Sequence, residues 1–156
     1  MSAIETDLLK PELVFFDFEA TDRIDFFTKL GEKLKEGGYV KDSWLDAILE
    51  REKNYPTALE VGEINVAIPH CDAENANEAA VCVGILRKPV DWRRMDDPDA
   101  TTPVRLVFML ALNEAHSHLE MIQKIIGVIQ DQEFAKKLAE SNAHEAYELL
   151  APRFAE

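Results

Sequence analysis

Residues 64–71, Ile-Asn-Val-Ala-Ile-Pro-His-Cys, constrain the fold more than any other stretch of this chain. Four apolar side chains and one Asn describe a short buried strand. Pro69 stops it, because proline has no N–H to give a sheet ladder and is confined to strand edges and ends. His70 therefore stands where the chain leaves the sheet, held on a rigid base and within reach of solvent.

The remaining elements interleave with that strand. Residues 12–18, Glu-Leu-Val-Phe-Phe-Asp-Phe, have the aromatic and β-branched content of a first strand. Thr21 or Asp22 caps a helix bearing Ile24, Phe27, Leu30 and Leu34, and Gly37-Gly38 ends it. Asp42 or Ser43 caps a second helix with Trp44, Leu45, Ile48 and Leu49; Asn54-Tyr55-Pro56 closes it, and residues 55–63 read as an irregular loop. Further strands are predicted over 79–86 and 104–112, joined by a Pro-, Asp- and Arg-rich stretch, 87–103, that reads as a long surface connection. A helix then begins near 115–117 with Leu119, Ile122, Ile125, Ile126 and Ile129 as its buried stripe, followed by short helices around 132–139 and 143–150. Strands interspersed with helices predict an α/β fold, a sheet of mixed direction covered by helices. No repeat, low-complexity run or linker divides the chain, so residues 1–156 are expected to form a single domain.

The charge balance narrows the partners. Thirty acids against 17 bases give a net charge of −13, whereas nucleic-acid backbones and anionic membranes call for clustered Lys and Arg. The balance fits docking with a basic partner, but most acidic proteins are acidic only for solubility. No apolar run approaches the roughly 20 residues that span a bilayer, and the first residues, Met-Ser-Ala-Ile-Glu-Thr-Asp, carry acids where a signal peptide carries bases. The expectation is a cytoplasmic protein with no nucleic-acid partner and no direct membrane insertion. Cys71 and Cys82 are too few for a disulfide framework and lack Cys-x-x-Cys spacing; Cys82 alternates within an apolar strand and reads as inert core.

The candidate chemistry centres on the histidines at 70, 116, 118 and 144. His144, beside Glu145, reads as a surface residue. His116-Ser117-His118 falls where the strand ending at Leu112 turns into a helix, whose first amides favour an anion. If that strand neighbours the His70 strand, their ends bring His70 and His118 together; the same spacing also fits a helix-capping or surface pair. Arg51 closes the second helix within Leu49-Glu50-Arg51-Glu52-Lys53, a run that ordinarily reads as a solvated face, and helix C-termini also simply prefer cations. Thr57 offers a hydroxyl on the loop heading toward His70.

Gly-rich phosphate loops, Gly-x-Ser-x-Gly elbows and His-Glu-x-x-His helices are absent from the sequence. A zinc site, and with it a zinc-dependent hydrolase, is one alternative from His70, Cys71, His116 and His118. Against it, adjacent residues 70 and 71 point different ways on an extended chain. The other alternative is an imidazole nucleophile near a second histidine, an arginine and a hydroxyl. Neutral imidazole attacks phosphorus and can carry the phosphoryl group as a phosphoramidate. On so acidic a protein that group needs local cations and donors, which Arg51, His118 and helix-start amides can supply.

These residues carry a resemblance. Arg51-Glu52 … Pro56-Thr57, then Val66-Ala67-Ile68-Pro69-His70, then His118-Leu119-x-x-Ile122 resemble the enzyme IIA domains of the fructose/mannitol class in the bacterial phosphoenolpyruvate-dependent sugar phosphotransferase system. Ile-Pro-His-Cys, with Lys41-Asp42-Ser43-Trp44 upstream, is most similar to the galactitol-type branch. The resemblance spans residues of about 45–130 and implies an α/β fold, a mixed sheet of about five strands flanked by α-helices on both faces. It implies a phosphotransferase component with a phosphohistidine intermediate, whose His70 accepts phosphorus through Nε2. The donor would be the histidine-containing phosphocarrier protein and the acceptor a IIB component, usually at a cysteine in the galactitol branch. His118 aligns with the second active-site histidine and Arg51 with the family's arginine; Thr57, whose hydroxyl lies on the loop toward His70, is expected to support the phosphoryl site. No metal or organic cofactor is implied. Thr57-Ala58 departs from the family's common Thr-Gly, and His116 has no counterpart. A regulatory IIA paralogue, acting by phosphorylation-dependent protein binding without sugar transport, is the second functional reading.

Overall fold

The computed structural model describes residues 9–70, 73–77, 80–111 and 115–155. In chain order it comprises β1 (Leu9–Phe18), α1 (Arg23–Glu36), α2 (Trp44–Asn54), β2 (Ala58–Leu59), β3 (Asn65–Ala67), a 3-10 turn (Ala73–Asn75), β4 (Ala80–Arg93), β5 (Thr101–Ala111), α3 (Ala115–Ile129), α4 (Gln132–Ala139) and α5 (Ala143–Ala155). The strands form a five-stranded sheet in the order β1-β4-β5-β3-β2. β1 runs parallel to β4 and β3 parallel to β5, while β4 with β5 and β2 with β3 are antiparallel. The sheet is mixed, as the alternation of elements predicts.

Strand periodicity divides the core between two faces. Val81, Val83 and Ile85 of β4, with Leu106, Phe108 and Leu110 of β5, pack against Met121, Ile125, Leu138, Leu150 and Phe154 from α3, α4 and α5. Ala80 and Cys82 of β4, with Val107 and Met109 of β5, face Phe26, Phe27, Leu30, Trp44 and Ile48 from α1 and α2. The helices thus cover both faces. Asp22 caps α1, accepting a hydrogen bond from the Asp25 amide at 2.8 Å. Gly38 follows the helix with φ +76°, a conformation in which a Cβ would be strained.

Several expectations need correction. Residues 87–103 are mostly strand: β4 continues to Arg93 and β5 begins at Thr101. Pro89 falls where the ladder shifts register between Ile85 and Val90, and beyond it Val90 and Trp92 resume the inward alternation. The loop at 55–63 contains β2, which pairs Ala58 with Ala67. Leu119 is exposed, not buried, because the inward stripe of α3 is Met121, Ile125, Val128 and Ile129. Ile24 is likewise exposed, and Phe26 takes the inward place with Phe27. α5 runs past 150 to Ala155 despite Pro152, since Leu150 and Phe154, one turn apart, are both fully buried. Ser43 precedes α2 without a side-chain cap; its hydroxyl donates instead to Asn75 Oδ1 at 2.6 Å.

Candidate functional site

His70 is delivered by the end of β3. The parallel pairing of β3 with β5 continues beyond Ala67 as a bridge between His70 and Leu110, with the Leu110 amide donating to the Pro69 carbonyl at 2.9 Å. Proline withholds a donor but still offers its carbonyl, so the ladder ends here without stranding an acceptor. The half-buried imidazole folds back on its own strand, and Nδ1 lies 3.1 Å from the Ile68 carbonyl. A carbonyl only accepts, so Nδ1 carries the hydrogen and the neutral ring keeps its lone pair on Nε2. Nε2 faces Arg51, whose Nη2 donates across 3.4 Å.

Arg51 reaches that position from the last turn of α2, an end that favours a cation. The Tyr55 amide closes the helix on the Arg51 carbonyl at 2.7 Å, and the Tyr55 ring lies under the guanidinium, 5.3 Å from its carbon. The arrangement presents a nucleophilic nitrogen of fixed tautomer to a fixed positive charge. Such a pair suits attack on an anionic electrophile.

Behind it lies a buried carboxylate within the charge run that reads from sequence as a solvated face. Glu52 is only 2% exposed. It accepts from the Thr57 amide at 2.8 Å, the Thr57 hydroxyl at 2.9 Å and Trp92 Nε1 at 2.9 Å. Burial pushes its pKa up, while the bonds from Trp92 and Thr57 and the charge of Arg23 work in the opposite direction. Helical spacing holds the signal that finds it: Trp44, Ile48 and Glu52 recur every fourth residue and are the buried stripe of α2. The Thr57 hydroxyl is thus engaged with Glu52, and Thr57 meets the His70 strand through its carbonyl, which accepts from the Ile68 amide at 3.3 Å.

The parallel neighbourhood of β3 and β5, the condition for bringing His70 toward the 116–118 segment, is met. His116 and His118 fall in the first turn of α3, but their side chains lie outside the described residues, as does Cys71. Among the described residues there is no group of three or more His, Cys, Asp or Glu that could hold a metal ion. His144 is exposed and pairs with Glu148 one turn on. Cys82 is fully buried, and burial pushes its thiol far above the usual range, which makes it inert. Among the described residues, no helix is long and apolar enough to cross a membrane.

Comparison with known proteins gives consistent results. Residues 7–152 match the family described as "Phosphoenolpyruvate-dependent sugar phosphotransferase system, EIIA 2". The chain is 28% identical over 117 residues to the galactitol-specific EIIA component of Escherichia coli strain K12, covering 75% of this chain and 77% of that one. It is 31% identical over 150 residues to the nitrogen regulatory protein of Bradyrhizobium diazoefficiens, covering 94% of both. Its fold is similar to that in a complex of enzyme IIAMTL with phosphorylated enzyme IIBMTL from Escherichia coli. There the TM-score is 0.75 at 27% identity, over 93% of this chain and 99% of that one.

Proposed function

The chain belongs to the EIIA 2 family of the phosphoenolpyruvate-dependent sugar phosphotransferase system, and from that premise we propose that it is a phosphocarrier acting through Nε2 of His70. The donor is the histidine-containing phosphocarrier protein, and the acceptor is a IIB component that passes the group to a carbohydrate during uptake. The observation that carries this reading is the orientation of one ring: Nδ1–H on the Ile68 carbonyl and Nε2 opposite Arg51.

The step follows from that orientation. The Nε2 lone pair forms a bond to phosphorus as the bond from phosphorus to the donor's imidazole nitrogen breaks, returning its electron pair to the donor. The His70 ring keeps its Nδ1 proton and becomes positive, so its bond to the Ile68 carbonyl strengthens as the transfer proceeds. Arg51 meets the equatorial oxygens of the moving group, and His118 is assigned the same role from its place in the first turn of α3. Positioning and charge stabilisation supply the rate, without a metal or an organic cofactor. Onward transfer to IIB runs the same chemistry in reverse.

A second reading has an observation of its own. The similarity to a nitrogen regulatory protein covers nearly the whole of both chains, which supports an output by phosphorylation-dependent binding of a target protein. Both readings share His70 and differ only in what receives the signal or the group. Incubation with phosphoenolpyruvate, enzyme I and the histidine phosphocarrier, followed by intact mass measurement, tests the shared chemistry. The expected result is a single acid-labile phosphoryl group that His70→Ala abolishes. A His70→Ala protein phosphorylated like the wild type would overturn the assignment.

A further inference from the structure

The contacts around His70 close on themselves. Glu52 binds the amide and hydroxyl of Thr57. The Thr57 carbonyl holds the Ile68 amide, and the Ile68 carbonyl holds His70 Nδ1. His70 Nε2 then meets Arg51, the residue covalently next to Glu52. Trp92 Nε1, from a buried position of β4 beyond the register shift, fixes the Glu52 carboxylate from outside this ring. Thr57, Glu52 and Trp92 are each at most 2% exposed, so solvent does not compete for these bonds.

We propose that Glu52, with Thr57 and Trp92, is a positioning residue that holds the Arg51 guanidinium opposite Nε2 of His70. This rests on the phosphocarrier reading. Arg51 sits on the last turn of a helix, where ends fray, and its long side chain has many rotamers. Glu52 anchors that same turn to the loop and strand that carry the histidine. The two reacting partners are thereby referred to one frame. All donors to Glu52 are neutral groups, and its remaining role is geometric, since a carboxylate enclosed in this way does not reach a phosphoryl group on Nε2. Thr57 in turn supports the site by holding both the Glu52 carboxylate and the Ile68 amide.

A double-mutant cycle tests it, read as the first-order rate of phosphoryl transfer and the donor concentration at half-saturation. Glu52→Gln and Arg51→Ala are each expected to slow transfer about ten- to a hundredfold with half-saturation unchanged, the size of effect expected from small misplacement. The double variant is expected to be no slower than Arg51→Ala alone. Costs that multiply would overturn the proposal. Thr57→Val and Thr57→Ser provide a second pair, decisive even where Glu52→Gln fails to fold: Val is expected to slow transfer and Ser to restore it, and equal rates for the two would overturn the proposal. The ¹⁵N resonance of His70 Nε2 in the unphosphorylated protein provides a readout that needs no transfer. In Thr57→Val it should move toward its position in Arg51→Ala, and an unmoved resonance would overturn the positioning role. Absence of phosphorylation in the wild type would instead overturn the phosphocarrier reading and leave the resonance test standing.

Discussion

On the phosphocarrier reading, the Ile68 carbonyl decides which nitrogen of His70 reacts. Held by that acceptor, the ring carries its hydrogen on Nδ1 and turns Nε2 toward Arg51. Glu52 presents a different residue-scale problem, a carboxylate removed from water and compensated by three donor groups from Thr57 and Trp92. Desolvation is the largest influence on it and raises its pKa in the folded state. The folded protein therefore binds a proton at Glu52 more tightly than the unfolded chain does. Stability attributable to this group is highest below the ordinary glutamate range and falls as pH rises through the interval up to the raised value. Glu52→Gln removes the titration but turns an amide NH₂ toward donors, at a cost of about 1–3 kcal/mol. Urea denaturation across a pH series should therefore show the deficit of Glu52→Gln shrinking as pH increases through that interval. A deficit that stays constant or widens would contradict a raised Glu52 pKa.

At the scale of elements, some features are legible in the sequence and others are hidden for identifiable reasons. β3 and its stop are legible because Pro69 punctuates a short apolar run, and α1 because Asp22 and the glycines at 37 and 38 mark its ends. The outer half of β4 is hidden because Arg87, Lys88 and Pro89 interrupt the alternation where the ladder shifts register. The end of α5 is hidden because the burial of Phe154 outweighs the proline before it. His70 can be singled out by its placement and Arg51 by the family resemblance, and the fold brings them into contact. Glu52 escapes notice because a donor that satisfies it, Trp92, is 40 residues away. The packing of α1 on β4 gives an element-scale prediction. A Cβ at Gly84 would lie 3.0 Å from two ring carbons of Phe26, and that ring is itself wedged against Phe18, Phe27 and Trp92. Gly84→Ala should cost about 1–3 kcal/mol through overpacking, seen as a lower urea midpoint with an unchanged slope. An unchanged midpoint would mean that the α1–β4 contact is looser than described.

For the whole molecule, the mixed sheet brings the ends of two parallel neighbours, β3 and β5, to one edge of the fold, with α2 supplying the cation there. Two helical layers hold the sheet on both faces. The site is thus built on a rigid base, while the chain as a whole carries a net charge of −13. The dianionic phosphoryl group of the proposed reaction is at odds with that overall charge, which makes the local pairing of Nε2 with Arg51 the decisive feature of the proposal. The most direct test is to phosphorylate ¹⁵N-labelled protein and locate phosphorus by its coupling to the imidazole nitrogens. The prediction is phosphorus on Nε2 of His70, with hydrogen retained on Nδ1. Phosphorus on Nδ1, or on any histidine other than His70, would contradict the account.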